Sequence, residues 1–296
     1  MPKVRVVEIH SSAIGDNPIT LEEARKMIAA GLDHLSPTGI GRDLLENIFT
    51  ATDIVGIKVN ALAGKQMSTS PALAFALAEA IAGRGVKKAN VIIWDRREAE
   101  LKRAGFDIKT SGADFRCLAT DTPGVGFSGK LSANKSIGSM FSRIQTEMIS
   151  AAVNFAVLKD HSLAGLSGCL KNYYGVIHNP NKYHDNLCDP YLADLYEMAE
   201  VKGKQRLAII DASRIQYNGG PGYVERWKAT YGSLLLSLDA VAVDRVAYAI
   251  VDLLRTKAGL PLLKDAGREP IHIRTAGKAD AGCADMNNIE WVVVNL

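Results

Sequence analysis

Lys159 and His161 stand two residues apart at the end of an apolar run, VNFAVLKDH, and Lys171 and Asn172 follow within a dozen residues. In an extended segment, residues i and i+2 face the same side, so an amine and an imidazole would look into one crevice. An amine beside an imidazole suits anion binding together with general acid–base work. The segment 155–184 also contains Lys182, His178 and His184, with almost no acids among these cations. Lys171 and Asn172 lie between Gly168 and Gly175, and glycines let backbone approach a ligand closely. These residues predict a site that receives an anion, moves protons, or both.

Carboxylates supply the other half of the expected chemistry. Asp211 ends the run RLAIID, and GGPG at 219–222 follows it. Asp95 ends VIIWD, and Lys58 and Asn60 close VGIKVN. Asp244 falls on the apolar side of a helical pattern built from Ala240, Val243, Ala247, Ile250, Val251 and Leu254. A buried carboxylate needs a charged or hydrogen-bonding partner, and one of the lysines is a candidate. Asp239, just before that helix, reads as its N-cap. The catalytic set expected from these residues is Lys159, His161, Lys171 and Asp211. Lys58, Asn60, Asn172, Lys182, His184, Asp239 and Asp244 are expected to contact substrate.

Other chemistries have weaker support. His178, His184, Cys188 and Asp189 could ligate a metal, but Pro180 and Pro190 interrupt the segment and its spacing fits no zinc pattern. No metal ligand is therefore assigned, and the cofactor is left unknown. Neither GxxxxGK[ST] nor a GxGxxG after a strand is present. The four cysteines, Cys117, Cys169, Cys188 and Cys283, form no CxxC pair and read as buried free thiols.

The elements that must position these residues can be read from hydrophobic periodicity. Apolar runs rich in Val, Ile and Leu recur at 3–9, 53–59, 89–95, 115–119, 154–159, 206–211, 233–239 and 291–294. Continuous runs of this length fit strands covered on both faces. Helical patterns lie between them: 21–32 after Thr20, 71–83 with Pro71 at the first position, and 240–257 ending before Gly259. The alternation predicts an α/β fold, a mainly parallel sheet with helices on both faces. The 296 residues form one α/β domain or two lobes, about 1–150 and 151–296. Ligands in such folds sit at the carboxyl ends of the strands, where Lys58, Asp95, Lys159, Asp211 and Asp239 fall. The Gly- and Ser-rich stretch 123–142 reads as a long mobile connection.

A net charge of +3 and dispersed basic residues argue against nucleic acid as the partner and for a small anionic ligand. No apolar run approaches the ~18 residues that span a bilayer, so no membrane insertion is expected. The N-terminal residues lack a secretory h-region. A cytoplasmic protein is the reading of the chain as given; the oligomeric state is not readable.

The motifs VGIKVNALAG, VIIWDR, VLKDHSLAGLSGCLKNYYG, NPNKYHDNLCDPYLADL, IIDA, NGGPG and SLDAVAVDRV together resemble the domain of unknown function 362 family. The specific part is Lys-x-His followed by Lys-Asn-x-x-Gly. The family's function is unassigned. The resemblance implies a redox-linked protein as a further alternative, since many relatives carry a ferredoxin-like segment or are described as iron–sulfur proteins. It also implies periplasmic or other extracytoplasmic placement as an alternative, through a removed twin-arginine leader. The expected function is an enzyme that acts on a small carboxylate or phosphate by Lys/His acid–base chemistry. The alternative is a non-catalytic metabolite- or metal-binding protein.

Overall fold

The protein is described here by a computed structural model, which covers residues 3–15 and 17–296. The first half contributes β1 (Val4–His10), α1 (Leu21–Leu35), α2 (Gly41–Ile48), β2 (Val55–Lys58), α3 (Pro71–Ala82), β3 (Val91–Asp95), α4 (Glu98–Ala104) and β4 (Arg116–Ala119). A hairpin of β5 (Phe127–Asn134) and β6 (Ile137–Ser142) follows. Then come β7 (Ala151–His161), β8 (Gly165–Ser167), α5 (Cys169–Asn172), α6 (Tyr191–Tyr196) and β9 (Gln205–Gln216). The chain closes with β10 (Lys228–Ser237), α7 (Ala240–Lys257), α8 (Ile271–Lys278) and β11 (Ile289–Asn295).

Among the described residues, nine strands form one sheet in the order β11-β1-β10-β9-β7-β2-β3-β4, with β8 paired to β7. Both halves of the chain therefore feed the same sheet. Its pairs are parallel except where β10 meets β1 and β9, and where β8 folds back on β7. Alternate side chains along each strand enter different cores. Val91 and Ile93 join Leu77 of α3 and Met27 of α1 on one face. Ile92 and Trp94 join Val243 of α7 and Phe141 of β6 on the other. This double burial is why the strands read as unbroken apolar runs rather than as alternation.

The helices begin where local chemistry allows. Thr20 accepts from the Glu23 amide while Glu23 reaches back to the Thr20 amide, a complete capping box for α1. Asp239 accepts from the amides of Val241 and Ala242 at the start of α7. The stretch 123–142 differs from expectation, since it holds the two-stranded β5–β6 sheet rather than a mobile connection. β5 is largely exposed, and β6 mixes glycine and serine with its buried Ile137 and Phe141, so neither strand shows the apolar signature of the central strands.

Candidate functional site

The carboxyl ends of β2, β3 and β7 lie side by side, because these strands are parallel neighbours. They open into a cleft of about 420 Å³, whose wall is completed by α5, the turn after it and the segment 178–184. Lys58, Asn60, Lys159, His161, Lys171, Asn172 and His184 all line it, together with Asp95.

Buried Lys58 and Asp95 form an ion pair at 2.6 Å. Asp95 also accepts from the amides of Ala61 and Arg96, at 2.7 Å each. Lys58 further donates to the Val59 carbonyl and to Asn172 Oδ1. Both charges are therefore satisfied within the protein, and the pair ties the ends of β2 and β3 together. Gly175 leaves room beside it, since a Cβ there would stand 2.8 Å from Lys58 Nζ and displace the amine.

Asn172 connects the walls. Its Nδ2 donates to the Lys58 carbonyl at 3.2 Å and to Asn154 Oδ1 at 2.8 Å, and its Oδ1 accepts from Lys58 and from Asn60 Nδ2. Asn60 Oδ1 in turn accepts from Lys159 Nζ at 3.3 Å. The network ends at Lys159, which is 1% exposed. No carboxylate lies within ion-pairing distance of its ammonium among the described residues. Burial pushes Lys159 down to about 8, with Lys171 adding to the effect against the opposing pull of Asp95. Lys171 is pushed down to about 8 by burial as well.

The hydrogen bonds assign both cleft imidazoles. Nδ1 of His161 accepts from the amides of Leu163 and Ala164, at 3.2 and 3.1 Å. Its proton therefore sits on Nε2, and the ring is held neutral. Burial, followed by the Lys171 charge, depresses its pKa to about 2. His161 is thus a neutral ring with its hydrogen on Nε2 and its pKa far below the range in which a histidine exchanges protons near neutrality. Nδ1 of His184 lies 3.0 Å from the Pro180 carbonyl, and its Nε2 lies 3.0 Å from Lys171 Nζ. The two rings stack with centroids 5.7 Å apart.

Four expected residues do not line this cleft. Asp211 pairs with Val157, but β9 carries extra residues before its next partner, Gln216, meets Lys159. Asp211 and its partner Val157 line a second cavity of about 600 Å³ beside the start of α3. There it accepts from the Ser70 amide and from Ser213, and burial raises its pKa. Lys182 is exposed on the outer side of its turn, above the Tyr183 ring. Asp239 follows β10, which runs antiparallel to its neighbours, so it lies at the opposite end of the strands from the cleft. Besides capping α7, it accepts from the Cys283 amide.

Asp244 pairs with no lysine. It accepts from the amides of Cys169 and Leu170, at 2.6 and 2.9 Å, and so caps α5 from the side of α7. Burial raises its pKa to about 7, against these two hydrogen bonds. Gly168 is the only residue type that fits above it, since a Cβ there would stand 2.2 Å from Asp244 Oδ1. Asp244 therefore fixes the turn that presents Lys171 and Asn172.

Several contributors escaped the sequence reading. Asn154 donates to the Cys169 carbonyl and accepts from Asn172. A polar residue inside the apolar run AAVNFAVL was the available signal. Arg96, Arg97, Glu100 and Tyr174 also line the cleft. Arg96 is anchored on the carbonyls of Ile177 and His178. Among the described residues no three His, Cys, Asp or Glu side chains form a metal-binding group. The four cysteines are free. No described helix is long and apolar enough to cross a membrane.

Residues 55–249, which hold every strand end of the cleft, match the family described as Domain of unknown function (DUF362). The chain belongs to that family. That description names no activity. No curated protein matches the chain. A crystal structure of a Thermotoga maritima protein from the Northeast Structural Genomics Consortium is similar at 16% identity and a TM-score of 0.46. That similarity covers 82% of this chain and 60% of the Thermotoga chain.

Proposed function

We propose that this member of the domain of unknown function 362 family is an enzyme acting on a small anionic molecule, a carboxylate or phosphate, bound in the 420 Å³ cleft. The observation that carries the reading is Lys159. An ammonium this buried, with one amide oxygen as its partner, leaves a cation uncompensated next to open space. Such a charge favours an incoming anion or gives up its proton. The surroundings support the same reading, since Lys58, Lys159, Lys171, Arg96 and Arg97 face only Asp95 and Glu100 as acids in the lining. Lys159 and Lys171, both lowered to about 8, are poised to exchange protons near neutral pH. His161 contributes a fixed hydrogen-bond donor, and Lys58 shapes the floor.

The test is titration calorimetry with inorganic phosphate and with malonate. K159M is expected to weaken binding roughly 10- to 100-fold, the value of a hydrogen bond to a charged group. Affinity is also expected to fall as pH rises through about 8, because the amines lose their charge. Affinity that is unchanged by K159M and flat across that range would place the ligand elsewhere.

A further inference from the structure

An anion held by Lys159 does not account for the way Lys171 is held. Lys58 is closed off by Asp95, the Val59 carbonyl and Asn172. Lys159 meets only an amide oxygen. Lys171 instead meets a base, with its Nζ 3.0 Å from His184 Nε2. A carbonyl oxygen can only accept, so the Pro180 contact puts the hydrogen on His184 Nδ1 and leaves the Nε2 lone pair facing the amine. The ring is held in that orientation by the edge of Tyr174 and by the stacked His161. The Tyr174 ring also lies 4.2 Å from the amine. Nucleophile, base and orienting acceptor thus stand in series, as in an activated nucleophile.

We propose that Lys171 forms a covalent imine with the carbonyl carbon of a small oxo acid, whose carboxylate is held by Lys159. The inference rests on the anion-binding reading above and adds the substrate class. His184 Nε2 takes a proton from the Lys171 ammonium, and the freed lone pair bonds to the carbonyl carbon as the C=O π pair moves onto oxygen. The imidazolium returns its proton to that oxygen, then removes a second proton from the nitrogen, which leaves a neutral carbinolamine. The hydroxyl departs as water with the proton from His184, and the nitrogen lone pair closes the protonated imine. The sum is ammonium plus carbonyl giving iminium plus water, with His184 restored. The proton moves along a contact already made, so charge is not created far from its partner.

The full chain is incubated with pyruvate or glyoxylate in the presence of cyanoborohydride, and the reduced adducts are mapped by peptide mass spectrometry. The adduct is expected on Lys171 ahead of every other lysine, and it disappears in K171M. H184Q, which keeps a polar side chain in place, is expected to slow labelling of Lys171 by ~100-fold. Labelling that is spread over exposed lysines, or equally fast in H184Q, overturns the proposal. Phosphate and malonate binding without any adduct at Lys171 overturns the covalent step alone. Loss of that binding in the wild-type protein overturns the anion-binding reading as well.

Discussion

His161 shows how a neighbouring amide can decide what an ionisable group does. Its Nδ1 is occupied by two backbone N–H groups, so protonating it would break both bonds and bury a charge. His272, 1% exposed on α8, is also pushed down, to about 3, by burial. An unfolded histidine titrates near 6.5, so the unfolded chain binds protons below that value while these two rings do not. Stability they contribute is full above pH ~6.5 and is lost progressively as pH falls toward their folded values. Chemical denaturation across that range is expected to show H272N with a shallower acid loss than the wild-type protein. Equal slopes would mean that His272 is charged in the folded state. Asp244 has the opposite sign. Its folded pKa is raised to about 7, so its contribution is present at low pH and is lost as pH rises through about 7. D244N removes one acceptor of the α5 amides and is expected to cost about 1–3 kcal/mol at acidic pH, with a smaller deficit at neutral pH. Urea melts at both pH values measure this, and a deficit that grows toward neutrality would contradict it.

Short elements hold the cleft together, and they were the hardest to read. The long helices α1, α3 and α7 begin at Thr20, Pro71 and Asp239, residues that act within their own turn, so their starts are visible in sequence. Helix α5 has only four residues, and the carboxylate that caps it arrives from Asp244, seventy-five residues from Cys169. No local pattern could announce that contact. The sequence identified Asp244 as a buried acid but could not name its partner. The reversal of β10 within a mainly parallel sheet was equally invisible. Lys58, Asp95 and Lys159 lie at the carboxyl ends of parallel neighbours and converge, whereas Asp239 follows the reversed β10 and is carried to the other end of the strands. The i, i+2 spacing of Lys159 and His161 is local and translates directly into a shared cleft. G168A tests the α5 turn. Its methyl would collide with Asp244, so a marked loss of thermal stability and displacement of Lys171 are expected. An unchanged melting temperature would show that the turn can yield.

Across the molecule, one sheet unites strands from both halves of the chain, and its two faces carry separate cores. The fold class was legible because double burial leaves uninterrupted apolar runs, while the β5–β6 hairpin was not, since β5 is largely exposed and both strands are interrupted by glycine and serine. Between Lys159 and His161 lies Asp160, fully buried and directed to the other side of the strand. Arg268 grips it through both carboxylate oxygens, and the Gly220 amide binds it at 2.9 Å. Arg268 lies beyond residue 249, where the family match stops. The strand that carries Lys159 and His161 is thus bolted from behind by a part of the chain that the family signature does not include. The recognisable segment is accordingly not a portable module. Excised alone, it would keep the lysines of the cleft but lose the clamp that sets their pitch, and β10 would lose the partner strand β1. Swapping the cleft between relatives therefore requires the C-terminal clamp to travel with it.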